Sequence, residues 1–98
     1  MIMTESHSQS DLFAQIPNGW TLSEDKDAMS KTFEFSGFAP AFSWVTHVAL
    51  LSEKFNHHPQ ICYTYRTVEA TLTTHDAGGL TAKDIMLARK MNEAAGNA

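Results

Sequence analysis

Apolar and polar positions fall into two rhythms along the chain. From Trp20 the rhythm has period two: Trp20 and Leu22, a polar Glu24-Asp25-Lys26-Asp27 run, then Met29, Phe33 and Phe35 with Ser30, Thr32 and Glu34 between them. This predicts an antiparallel hairpin, with Lys31 the one interruption of its apolar side. After Pro59 the alternation returns in Ile61, Tyr63 and Tyr65, reverses near Arg66 and Thr67, and continues in Val68, Ala70 and Leu72 against Glu69, Thr71 and Thr73. Elsewhere the period is helical. Ser10 or Asp11 can cap a short helix through Leu12, Phe13 and Ile16, which Pro17, Asn18 and Gly19 end. APAFSWVTHVALLSEKFN gives about four turns, with Pro40 suited to the first turn. Thr81 is a good N-cap for a last helix carrying Ile85, Ala88, Met91 and Ala95, and Asp84 at its third position can complete a weak capping box.

The predicted order is helix, strand, strand, helix, strand, strand, helix. Tight turns within both strand pairs imply an α+β fold: a single domain with a four-stranded antiparallel sheet and about three helices packed mainly on one face. Residues 10–98 form that domain, and the small, polar residues 1–9 predict a disordered tail. The long helix carries two apolar stripes: Phe42, Val45 and Ala49, and Trp44, Val48, Leu51 and Phe55. One sheet cannot cover both, so the second stripe faces either a subunit interface or the N-terminal helix.

At 98 residues, 43% hydrophobic and 18% charged, the chain can hold one core without disulfides or a structural metal. The net charge of −4 and the scattered lysines and arginines exclude a basic face for nucleic acid. Apolar runs are too short to span a bilayer, and the first residues lack a basic region followed by an apolar one. Cys62, the single cysteine, lies in a strand-like run and reads as a small buried hydrophobe in a reducing, cytoplasmic setting.

Candidate chemistry concentrates in EKFNHHPQ, residues 53–60. Glu53 and His57 are four apart, so on a helix they share a face and can hydrogen-bond, which would orient the imidazole. Pro59 disfavours helical backbone at His58, whose ring should therefore diverge from that of His57. Taken singly, each histidine reads as a surface or capping residue. His75, at the exit of the fourth strand into a Gly78-Gly79 loop, reads as a loop residue, and Asp84 as a helix N-terminal charge. Together they place three imidazoles and two carboxylates at element ends, and imidazole both gives and takes protons near neutral pH.

The spacing carries a resemblance. Glu53, three residues, His57-His58-Pro59, five residues, Tyr65, nine residues, His75, eight residues, Asp84 is similar to the signature of the pterin-4a-carbinolamine dehydratase family. The flanking F-x-x-V-x-x-V-A-L, T-L-T-T-H and T-A-K-D-I segments resemble it too, from about Phe38 to Met91. The resemblance implies catalytic roles for His57, His58 and His75, with His57 and His75 carrying protons and His58 helping to hold the pterin. It implies orienting or binding roles for Glu53 and Asp84, and substrate contacts near Asn56, Pro59, Thr73 and Thr74. The implied reaction removes water from 4a-hydroxytetrahydropterin, with no metal and no cofactor. It serves the recycling of tetrahydrobiopterin for aromatic amino acid hydroxylases, in a homodimer or homotetramer assembled through helices. Asn56 stands where the family often has Asp, and Gln60 and Ile61 where aromatic residues are common. These departures bear on substrate affinity more than on reaction type.

Two other functional classes compete. A metal centre would use His57, His58, His75 and a carboxylate, but adjacent histidines diverge and no H-x-x-x-H spacing is present. A non-catalytic interaction module, like relatives that act as dimerisation partners of transcription factors, would use the exposed helical surface instead.

Overall fold

The computed structural model describes residues 9–96, and the predicted tail lies outside them except for Gln9, which already belongs to the first helix. The elements are α1 (Gln9–Phe13), β1 (Thr21–Leu22), β2 (Met29–Glu34), α2 (Phe38–Phe55), β3 (Gln60–Thr64), β4 (Thr67–Leu72) and α3 (Ala82–Ala94), with a 3₁₀ turn at His75–Ala77. Both expected hairpins form, and the four antiparallel strands lie in the order β1-β2-β4-β3. The sheet centre is therefore the pairing of β2 with β4. That pairing joins the two hairpins in the register Met29↔Leu72, Lys31↔Ala70 and Phe33↔Val68.

Period two explains why one face of this sheet is the core. Met29, Phe33, Val68, Ala70 and Leu72 are all buried, and with Leu12 of α1, Trp44 and Val48 of α2, and Ile85, Leu87, Ala88 and Met91 of α3 they form a single cluster. The alternate residues Thr32, Glu34, Cys62 and Glu69 are exposed on the other face, so Cys62, paired with Glu69, is not the buried hydrophobe that its strand-like run predicts. Phe33 and Phe35 pack on Trp44 with ring centroids 4.4 and 5.4 Å away, and the Trp44 indole N–H donates to the Met91 carbonyl at 3.0 Å, locking α2 to α3.

Lys31 faces inward at the place where the sequence weakens. Its Nζ lies 4.7 Å from the centroid of the Phe33 ring and donates to the Asn18 carbonyl (3.2 Å) and to Asn92 Oδ1 (2.9 Å). Burial pushes this amine below its ordinary value. Asn92, itself buried, also accepts from the Trp20 indole (3.1 Å) and donates to the Asn18 carbonyl (3.0 Å), so one α3 amide fastens the α1–β1 connection. Gly19 allows this close approach: its φ is +85°, and a Cβ there would meet the Lys31 side chain at 2.8 Å.

The long helix is five turns rather than four, beginning at Phe38. Its buried stripe is Ala41, Trp44, Val48 and Ser52. The other side splits: Val45 and Leu51 pack against the core's margin, while Phe38, Phe42 and Leu50 are more than half exposed. The N-terminal helix does not cover them, because Leu12 and Gln15 instead line a groove with Ala82, Ile85 and Met86 of α3. Among the described residues, no helix is long and apolar enough to cross a membrane.

Candidate active site

The end of α2 sets the geometry of the histidine pair. Asn56 adopts left-handed backbone (φ 54°, ψ 46°), its N–H donates to the Glu53 carbonyl, and the His57 N–H donates to the Ser52 carbonyl at 3.0 Å. This is the paired closure of a Schellman motif, and Asn is among the few non-glycine residues that enter the left-handed region readily. The residue standing in place of the family's usual Asp thus acts as the helix stop.

That stop changes which side chains meet. Glu53 and His57 would pair only on a continuous helix, and the left-handed residue between them turns His57 away. Glu53 instead meets His58, with Oε2 and Nε2 2.8 Å apart in a solvent-exposed pair. His57 turns inward, where its Nε2 lies 2.5 Å from Asp84 Oδ1. The two rings diverge as Pro59 requires, one into the protein and one onto its surface.

Asp84 is fully buried on the first turn of α3. Its Oδ2 accepts from the Thr74 hydroxyl (2.7 Å) and from the Thr81 backbone N–H (2.9 Å), and its Oδ1 faces His57. The Thr74 and Thr81 hydroxyls are themselves 2.9 Å apart. A buried carboxylate is tolerable only when such partners replace its lost hydration, and here the helix N-terminus adds favourable N–H dipoles. The capping signal Thr81-x-x-Asp84 was legible in the sequence. The use of the second carboxylate oxygen to hold a histidine 27 positions earlier was not.

His75 directly follows Thr74 and opens the exposed 3₁₀ turn, which closes when Gly78, in left-handed backbone (φ 74°), donates its N–H to the His75 carbonyl. The Thr74–Gly79 bridge pins the base of this loop, so the strand that brings Thr74 to Asp84 also fixes where His75 emerges. Thr73 points elsewhere, donating to the Asp27 carbonyl in the β1–β2 connection. His57, Thr74 and Asp84 therefore converge, His75 adjoins them, and Glu53 and His58 form a separate exposed pair beside Pro59. Among the described residues, no three His, Cys, Asp or Glu side chains converge as metal ligands would. A cleft of about 450 Å³ between Phe35, the Pro40–Ser43–Trp44–His47 side of α2 and the end of α3 is lined by none of His57, His58 and His75. Volume alone does not mark a site in this chain; the buried acid–imidazole pair is the stronger candidate.

The arrangement can hold one imidazole in a fixed orientation on an anionic partner, with a second imidazole on an adjacent loop. Comparison with known proteins identifies the family. A profile of the family described as "Pterin 4 alpha carbinolamine dehydratase" matches residues 2–94. A Roseobacter denitrificans protein provisionally named a pterin-4-alpha-carbinolamine dehydratase is 52% identical over 79 residues, 81% of each chain. A Bradyrhizobium diazoefficiens protein of the same provisional name is 48% identical over 91 residues, 93% of this chain and 88% of the relative. The crystal structure of a transcriptional coactivator/pterin dehydratase from Brucella melitensis superposes with a TM-score of 0.86 at 35% identity, covering 94% of this chain and all of the other. A pterin dehydratase-like protein identified as a RuBisCO assembly factor in the alpha-carboxysome shares the fold, with a TM-score of 0.73 at 23% identity over 83% of this chain and 94% of that one. With nearly its whole length matched, and with the histidine pair, His75 and Asp84 in the register of the signature, the chain belongs to the pterin 4 alpha carbinolamine dehydratase family.

Proposed function

We propose that the protein is a hydro-lyase that converts 4a-hydroxytetrahydropterin to quinonoid dihydropterin and water, in the recycling of tetrahydropterin oxidised by an aromatic amino acid hydroxylase. The observation that carries this reading is the buried Asp84–His57 pair with His75 on the adjoining loop. Dehydration breaks the C4a–O bond. The departing oxygen takes up a proton and leaves as water, while a ring nitrogen gives up its proton as the C=N bond forms. One imidazole supplies the first proton and another accepts the second, and neither step calls on a metal or an organic cofactor. General acid–base catalysis of this kind contributes roughly 10²–10⁴-fold in rate. In this reading His57 and His75 carry protons, while His58, held by Glu53, contacts the pterin beside Asn56 and Pro59.

Stopped-flow absorbance on freshly generated 4a-hydroxytetrahydropterin is the test. The purified protein accelerates dehydration, and His75→Ala loses most of that acceleration. His57→Gln, whose amide can still donate to Asp84, does the same without unfolding. No acceleration by the wild type at any enzyme concentration sinks the assignment.

A second reading is supported by the surface of α2. Phe38 and Phe42 stack with centroids 5.6 Å apart and, with Leu50, stand exposed. Such a patch suits an interface, first with copies of this chain as a homodimer or homotetramer. Relatives described as a coactivator and as an assembly factor make a non-catalytic partner the alternative. A normal fold and oligomer with no turnover, together with a stoichiometric protein partner, would favour it.

A further inference from the structure

We propose that His57 transfers its proton through Nδ1, and that Thr81 is a positioning residue that fixes this choice through Thr74 and Asp84. The proposal deepens the reading of His57 as a proton carrier and rests on it for its catalytic consequence, although the protonation pattern itself can be measured without substrate.

The assignment follows from counting donors. The Thr74 hydroxyl has one hydrogen and gives it to Asp84 Oδ2. Toward Thr81 it can then only accept, so in the 2.9 Å contact between the two hydroxyls Thr81 is the donor. Oδ2 thus receives the Thr74 hydroxyl and the Thr81 backbone N–H, and both hydrogens point at the carboxylate. An ionised carboxylate only accepts, so at Oδ1 the donor is His57, and the hydrogen sits on Nε2. The chain of donation runs Thr81 to Thr74 to Asp84, with His57 donating from the other side. Each bond polarises the next. Nδ1 makes no hydrogen bond among the described residues, and the His57 side chain keeps 11% of its surface exposed, enough for one edge of the ring to reach a ligand. In the neutral ring Nδ1 holds the lone pair and acts as a base; in the charged ring it carries the second hydrogen and acts as an acid.

Thr81 therefore has a role beyond capping α3. Its backbone N–H holds the carboxylate, and its hydroxyl strengthens the donor beside it. Thr81→Val preserves shape and the backbone bond while removing only the hydroxyl, and Thr81→Ser restores it. Asp84→Asn is the sharper change. Two donors still converge on the Oδ2 position, so the carbonyl oxygen of the new amide must sit there and its NH₂ must face His57. Nε2 then has to accept, and the ring proton moves to Nδ1, the atom that must be free to take one.

The experiment is ¹⁵N-edited imidazole NMR on the full chain across a pH titration, with dehydration kinetics alongside. Neutral His57 in the wild type is protonated on Nε2. Asp84→Asn moves that proton to Nδ1 and loses roughly 10²–10⁴-fold in kcat with little change in KM, the share attributable to acid–base catalysis. Thr81→Val shifts the His57 nitrogen resonances and titration midpoint and lowers kcat, and Thr81→Ser returns all three. A merely structural contribution from Thr81 would leave the His57 resonances and midpoint unmoved once folding is verified by circular dichroism. Nδ1 protonation in the neutral wild type overturns the proposal, as do wild-type resonances in Thr81→Val. If Asp84→Asn fails to fold, the Thr81 pair decides. A correct protonation pattern without dehydration refutes the enzymatic reading alone, and dehydration with the opposite pattern refutes this proposal alone.

Discussion

Asn56 offers a way to separate the helix stop from the chemistry beside it. Its φ of 54° puts a Cβ-bearing residue where left-handed backbone costs about 1–2 kcal/mol, a cost asparagine partly escapes. Two fates are open to Asn56→Ala. The chain could abandon the left-handed turn, but His57 would then swing away and leave Asp84 buried without it, at about 3–5 kcal/mol for a broken buried pair. Keeping the turn costs less, so the geometry persists and the strain appears as lost stability. The expected loss is about 1 kcal/mol, a fall of about 4–8 °C in Tm for a domain of this size. Asn56→Gly should stay within about 0.5 kcal/mol of the wild type, because freedom to enter the turn offsets the greater entropy of its unfolded chain. Urea denaturation of the three proteins, with dehydration kinetics on each, is the assay. Alanine should lower the midpoint while kcat changes less than about threefold, a difference of under 1 kcal/mol. An alanine variant as stable as the glycine one would refute the strain argument. One that lost orders of magnitude in kcat at full stability would refute the claim that His57 holds the turn.

Other perturbations probe the rest of the frame. Asn92→Ala removes the acceptor of a buried indole N–H and the link to Asn18, and should cost about 2–4 kcal/mol by chemical denaturation; a loss below about 1 kcal/mol would show that solvent replaces the amide freely. Phe42→Glu should reduce the molar mass measured by light scattering from an oligomer to a smaller species while far-UV circular dichroism is unchanged, and a monomeric wild type would refute an interface on this face of α2. For Lys31, burial lowers the folded-state value below the 10.5 of the unfolded chain, so the unfolded state binds more protons between the two. The wild type should therefore gain stability relative to Lys31→Met as pH rises through that window, and a relative loss would show that the amine is better solvated than its contacts imply.

The sequence was most legible where one physical rule acted alone. Period two marked the sheet's buried face residue by residue, and turn composition marked both hairpins. It did not reveal that β4 rather than β3 lies beside β2, because a hairpin pattern says nothing about which of its strands will join the next hairpin. At the site, the spacing of Glu53 and His57 pointed to a helical pair, and the left-handed turn at Asn56 undid it; one residue's backbone outweighed a four-residue periodicity. The role of Asn92 left no trace in the sequence, since a single amide in a helix becomes a hub only when Trp20, 72 positions away, reaches it.

Both tryptophans are tied to consecutive residues of α3: the Trp44 indole to the Met91 carbonyl and the Trp20 indole to the Asn92 side chain. The same helix carries Asp84 two turns earlier. Intrinsic fluorescence should therefore report more than global folding. Any event that lifts α3 from the sheet frees both indole N–H groups to water at once, red-shifting the emission just as the carboxylate under His57 is withdrawn. The protein thus contains its own optical gauge of whether the candidate site is assembled, readable without substrate or label.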